Sequence, residues 1–277
     1  MTPPLTTREP VKVQPRIPNR RAPVWLVIPA AMATVFLIAP LAALALRANW
    51  VQLPGILVQP AIREALWLSI WTSSLATLLA VVLGVPLAWV LARQDFRGKS
   101  IVRALVTLPL VLPPVVAGVA LLMLAGRRGV LGQFLDSTLG VSIPFTPVAV
   151  ILAQTFVSMP FLIITVEGAL RLGGDRYEEA AATLGANRFV ILRRVTLPVI
   201  ASSLVAGTML CWARALGEFG ATITFAGSFP GRTQTMPLQV YLALESDPQA
   251  AVGLSLVLLL VCGTVLIGLR KQWLRTP

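Results

Sequence analysis

No histidine occurs anywhere in the chain, which excludes a His-based zinc site, a Ser-His-Asp triad and a histidine general base. Cysteine is almost as scarce. Cys211 and Cys262 both fall in apolar runs, so they give no disulfide framework and no metal-ligand spacing, and each reads as a small hydrophobe. Charge is thin too: 12% of residues are charged and 56% are hydrophobic, whereas a soluble domain carries roughly a quarter charged residues. The chain is therefore an integral membrane protein. Acids are outnumbered, with 11 Asp and Glu against 23 Lys and Arg and a formal net charge of +12. In a soluble protein that excess points to nucleic acid, but in a membrane protein basic residues collect in cytoplasmic loops, so their positions decide. Two further absences narrow the field. Gly98-Lys99-Ser100 resembles the end of a phosphate-binding loop, but Arg93 stands where that loop needs its first glycine, and nucleotide binding there is rejected. No internal repeat is visible, so the inverted-repeat mark of many secondary transporters is missing.

What is present is a series of apolar runs. Residues 1–23 are polar, proline-rich and basic, a composition suited to a disordered tail. Val24 to Leu46 is uncharged and long enough for a membrane helix, which needs about 20 residues. Ala43-Leu44-Ala45 has the look of a cleavage site, so removal of residues 1–46 is the alternative, although a signal peptide's apolar region is only about 7 to 15 residues. Ala65 to Leu91 gives a second span. A third, Ala104 to Ala125, contains Pro109, Pro113 and Pro114 and must be kinked or broken, which lipid tolerates only where neighbouring helices or a water-filled path satisfy the freed carbonyls. Val148 to Val166 is the fourth, with Pro160 inside it. The fifth starts at Leu197 and is uncharged to Ala213, and Ala250 to Leu269 is the sixth.

Seventeen of the 23 lysines and arginines lie in the N-terminal tail, the loops after spans two and four, and the C-terminal tail. The opposite loops hold Arg47, Arg63, Arg127, Arg128 and Arg232, with Arg214 apart. Positive charge favours the cytoplasm, so both termini are inside, and the basicity is a topology signal rather than a nucleic-acid one.

Between spans four and five lies the polar stretch Glu178 to Pro198. Glu178 to Leu184 is good helix-forming sequence with acids in its first turn, Gly185 can end that helix, and Phe189 to Arg194 can begin another. The run Ala180-Ala181-Ala182 lets a partner's backbone come close. Pro198 suits the first turn of the following span. The result is a short helix, a turn and a re-entry along the cytoplasmic face. An ordinary basic loop would read much the same.

The spacing Glu179-Ala180-Ala181, Gly185, Val195, Thr196, Leu197-Pro198 resembles the EAA signature of membrane subunits of binding-protein-dependent ABC importers, with Val195 where isoleucine is usual. The resemblance implies a coupling segment, residues 172–196, that docks in a groove of a separate cytoplasmic ATPase. Ala180, Ala181 and Gly185 would give the close fit and Glu178 or Glu179 the polar contacts, with Leu197 and Pro198 counted among the coupling residues. A second run, Arg214 to Tyr241, with Leu216 to Phe225, Pro230-Gly231 and Thr233 to Pro237, is similar to the membrane subunit of molybdate importers. The sulfate/thiosulfate permeases are the nearest competitor.

Arg214 and Glu218, four residues apart, can share one helix face and pair, either as a structural pair or as part of an external gate. Thr222 and Thr224 offer hydroxyls, and Gly217, Phe219 and Gly220 complete a candidate gate or pore lining. The resemblance implies an all-α, polytopic fold of type I with about six transmembrane helices and a permease core over 62–270. The expected partners are two copies of an ABC ATPase that holds ATP and Mg, an oxyanion-binding protein, a second copy of this chain and membrane lipid. No catalytic residue, cofactor or metal is expected in this chain, and its expected place is a bacterial or archaeal inner membrane. The rival class is a stand-alone channel or secondary carrier, for which Glu167 and Glu218 are the only buried carboxylates able to take protons. An assembly protein without a transport path is a third.

Overall fold

The computed structural model describes residues 24–173 and 176–273, so the basic tail over 1–23 and the chain's last four residues lie outside them. Among the described residues every regular element is helical. Five helices are long and apolar enough to cross a bilayer, and a bent pair makes a sixth candidate. By their contacts the described residues divide into two units, with the boundary between Leu46 and Arg47. The first contributes α1 (Val24–Arg47), an apolar helix with Pro29 and Pro40 inside it.

The second unit is built on α3 (Pro60–Arg93), preceded by the short α2 (Leu53–Val58). Helices in lipid gain little from hydrophobic burial against each other, so close packing of small residues holds them together. One face of α3 shows this, with Ser69, Thr72, Ser73, Ala76, Ala80, Gly84 and Ala88 all buried at three- or four-residue spacing. Against that face lies α7 (Pro147–Leu172), which starts at a Thr146 cap and Pro147. A Cβ on Gly84 would come within 3.1 Å of Ile163 Cγ1. Hydroxyls on the seam find acceptors in their own helix, as lipid demands: Thr72 donates to the Leu68 carbonyl at 2.7 Å and Thr77 to that of Ser73 at 2.7 Å.

The proline-rich span is broken. α4 (Lys99–Val111) and α5 (Pro114–Ala125) meet at 119° across Leu112-Pro113. Adjacent prolines cannot extend the ladder of α4, so a fresh helix begins at Pro114 in another direction. α6 (Val130–Leu139) then packs tightly under α5, where a Cβ on Gly132 would meet the Gly126 carbonyl.

α10 (Leu197–Leu216) packs on both α7 and α3, and two short helices, α11 (Gly220–Phe225) and α12 (Met236–Ser246), lead to α13 (Pro248–Trp273). The backbone N–H of Met236 donates to Ser69 Oγ at 2.7 Å, which ties the start of α12 to α3. Phe145, with φ +62°, meets Phe229 edge-on with centroids 5.8 Å apart and holds the α6–α7 and α11–α12 connections together.

Candidate functional site

The polar stretch forms α8 (Arg176–Thr183), a turn, and α9 (Arg188–Ile191). Gly185, at φ +83°, is the turn. Its N–H reaches the Ala182 carbonyl at 3.0 Å and that of Ala186 reaches Ala181 at 3.0 Å, the paired bonds of a Schellman close. Asn187, two residues on, caps α9 through a 2.9 Å bond from Val190 N–H.

The chain does not restart at Leu197. Helix continues from Arg188 to Leu216 through a π turn at Leu192–Thr196, where Leu197 N–H bonds back to the Leu192 carbonyl. The expected re-entry with Pro198 in a first turn is corrected by this. Pro198 sits inside a continuous helix, and the wide turn just before it makes room for a ring that would otherwise crowd the Arg194 carbonyl.

The two acids of α8 part company. Glu178 turns inward, where its Oε1 accepts from Arg93 Nη2 at 2.8 Å and from the Thr196 hydroxyl at 2.9 Å. Adjacent helical residues point about 100° apart, and Glu179 is exposed. Ala180 and Gly185 are exposed beside it, and Ala181 is half-buried. Leu184 and Phe189 stand out from the same segment at 89% and 69% exposure. Neither was marked by the spacing of the signature, although a large apolar residue on each side of the turn at Gly185 is a visible signal. Arg93 carries no such signal, and Thr196, although part of the signature, shows nothing of its role there, because both meet Glu178 only in the fold.

A second carboxylate, Glu167, is buried near the end of α7. It accepts from Arg103 Nε at 3.1 Å and Nη2 at 2.7 Å, and Arg171 Nη2 stands 2.8 Å away. Arg103 belongs to α4, so this carboxylate joins two helices as well as neutralising charge. The basic ends of α3, α4 and α7 thus gather at one end of the bundle. In the loop between α3 and α4 the Lys99 ammonium, 2.9 Å from Asp95, holds that carboxyl below its ordinary value.

At the far end of α10, Arg214 and Glu218 do meet, with Nη1 and Oε2 2.5 Å apart. Glu218 is 1% exposed and lies beyond the helix, which stops at Leu216. Its other oxygen accepts from Ala221 N–H at 2.9 Å and so caps α11. α11 presses on α5: a Cβ on Gly220 would lie 2.8 Å from Pro114 Cβ, and one on Gly118 2.7 Å from Thr224 Cβ. Thr224 spends its hydroxyl on the Gly220 carbonyl at 2.8 Å, while the Thr222 hydroxyl is fully buried without a partner. Gly217 is exposed, and Phe219 is half-buried against Tyr241, centroids 5.0 Å apart. The candidate lining residues therefore do not share one surface. Glu218, Gly220 and Thr222 face protein, and Gly217 alone is open.

Among the described residues no three His, Cys, Asp or Glu side chains are placed to hold a metal ion. Residues 80–276 match the family described as binding-protein-dependent transport system inner membrane component. Over 260 residues the chain is 48% identical to the molybdenum transport system permease protein ModB of Mycobacterium tuberculosis, covering 94% of this chain and 97% of that one. Over 229 residues it is 35% identical to the sulfate transport system permease protein CysT of Salmonella typhimurium, covering 81% and 82%. Among solved structures, a bacterial ABC transporter involved in the import of the acidic polysaccharide alginate matches with a TM-score of 0.73 over 92% of this chain and 96% of that one. Identity there is 18%, so the likeness speaks for the fold alone.

Proposed function

The chain belongs to the family of binding-protein-dependent transport system inner membrane components, and from that premise we propose that the cargo it carries inward is molybdate, with tungstate as the related anion. It is a multi-pass subunit of an ABC importer in the inner membrane, and it is not an enzyme. The observation that carries the cargo assignment is the 48% identity, held over 94% of the chain, to a permease named for molybdenum. The sulfate permease is further off, at 35% over 81% of the chain. All three anions are tetrahedral dianions, so selection falls to the binding protein, and the membrane path needs only modest affinity at each station.

Two copies of a cytoplasmic ATPase that holds ATP and Mg, an oxyanion-binding protein outside and a second copy of this chain complete the proposed machine. The outward face of α8, its turn and the start of α9, with Glu179, Ala180, Leu184, Gly185 and Phe189, is the proposed ATPase contact. The outer gate is proposed where α11 closes on α5. Vesicles holding this chain, its ATPase and its binding protein are expected to take up molybdate only when ATP is supplied. Uptake by this chain alone, driven by an ion gradient, would replace this reading with the carrier one.

Exposed apolar side chains at the centre of a contact carry much of its affinity. Leu184→Ser and Phe189→Ser are each expected to weaken ATPase binding by about 1 to 2 kcal/mol, roughly tenfold. Titration of the ATPase onto the permease in nanodiscs checks this, with Leu139→Ser, an exposed leucine at the end of α6 and outside the coupling segment, as the neutral comparison.

A further inference from the structure

Glu178 does not face the side of α8 that is open to a partner. Its side chain is 21% exposed and that of Arg93 13%, and the carboxylate oxygen is shared by a guanidinium at the end of α3 and a hydroxyl at the close of the π turn. Three elements thus meet at one atom: α8, which lies outside the bundle, and two helices that cross it. The Thr196 hydroxyl also lies 3.5 Å from the Ile191 carbonyl, inside the one wide turn of the α9–α10 helix. A π turn is a place where a helix can change its winding at low cost. Beside the joint is a cleft of about 10 Å³, walled by Leu170, Gly173, Val199 and Ile200, which is room for about one water.

We propose that Glu178 is a positioning residue for the transport cycle: its carboxylate is the internal joint through which a displacement of α8 is passed to α3 by way of Arg93 and to α10 by way of Thr196. The proposal rests on the coupling role argued above, and adds to it a division of labour between neighbours. Glu179 and the exposed apolar residues attach the ATPase, and Glu178 transmits. A contact made only of apolar side chains between α8 and the bundle could slide, whereas a charge-assisted bond shared by two donors fixes both distance and direction. The same end of α3 is touched again from α7, where Arg171 Nη2 lies 3.5 Å from the Leu91 carbonyl and 2.8 Å from Glu167. Glu167 in turn holds Arg103 of α4. A shift of the end of α3 is therefore felt by α7 and by the first half of the broken span.

The test uses the whole complex in proteoliposomes and reads molybdate taken up per ATP hydrolysed. Glu178→Ala is expected to bind the ATPase with wild-type affinity, to keep ATP hydrolysis within about twofold, and to lower uptake per ATP about tenfold. Exchanging the charges, with Arg93→Glu and Glu178→Arg together, is expected to restore most of the ratio, because Thr196 can accept from an arginine as readily as it donates to a carboxylate. A wild-type ratio in Glu178→Ala would overturn the proposal. So would loss of ATPase binding, which would make Glu178 a docking residue. Should Glu178→Ala fail to insert, Thr196→Val removes one of the two donors alone, and an unaltered ratio there would equally overturn it. If the wild-type protein takes up molybdate without ATP, the function itself is misassigned and the joint falls with it.

Discussion

Replacing Arg214 with methionine is expected to destabilise the outer end of the molecule by about 3 kcal/mol or more, because it strands a carboxylate in a place without water. Glu218 is 1% exposed, and Arg214 is the cation that faces it. The reverse change is milder. Glu218→Gln removes the charge together with the need for a counter-charge, keeps the side chain's shape, and leaves an amide oxygen to accept the Ala221 N–H that starts α11. Arg214, at 28% side-chain exposure, can turn its guanidinium outward. The double change Arg214→Met with Glu218→Gln should therefore be more stable than Arg214→Met alone, although Glu218→Gln by itself does not stabilise the wild type, the non-additivity expected of a pair in contact. Apparent thermal midpoints of the purified protein in nanodiscs give the comparison. If Arg214→Met proved no worse than Glu218→Gln, the carboxylate would have another counter-charge and the pair would be incidental.

That pair also shows how far a sequence can be read. Four-residue spacing is enough to bring Arg214 and Glu218 together, and the fold does so. Spacing does not reveal that the helix has ended between them, nor that the second carboxylate oxygen starts another helix. The same limit recurs across the chain. Uncharged runs located every long helix of the bundle, but their ends moved outward: α3 begins at Pro60 and α7 runs to Leu172, since a helix continues past its apolar stretch until a proline or a cap stops it. Pro113-Pro114 announced a break, while its 119° angle depends on what α5 packs against. Pro198 was misleading. A proline two residues into an apolar run has the form of a helix start, and only the π turn before it lets the helix run through. In the polar stretch between α7 and α10, Gly185 was legible because so few residues accept its backbone conformation. The opposite orientations of Glu178 and Glu179 were not, since the inward turn of Glu178 is set by an arginine 85 residues earlier in the chain.

Gly185 supports the second large effect. Its φ of +83° costs a residue with a side chain about 1 to 2 kcal/mol, asparagine being the usual exception. A Cβ built there meets nothing within 4 Å, so within this chain the penalty is one of backbone conformation only. A docked ATPase would add a second penalty, one of size. The two can be separated by substitution. Gly185→Val strains the turn with little added bulk, Gly185→Asn adds bulk with little strain, and Gly185→Trp adds both. We expect Gly185→Trp to lose ATPase binding and at least about a hundredfold in uptake, a loss of some 3 kcal/mol from strain and clash together. Gly185→Val should lose about tenfold, from strain alone. Ala181→Asp belongs with the severe class, because it puts a third carboxylate on one turn of α8, on the face it shares with Glu178. All four proteins should insert normally, since α8 lies between membrane helices and not within one. If Gly185→Asn were as damaging as Gly185→Trp while Gly185→Val was harmless, the partner's groove rather than the turn would be what demands glycine. The reverse order would show that α8 needs its tight close to present Leu184 and Phe189 on one side while Glu178 stays turned to the other.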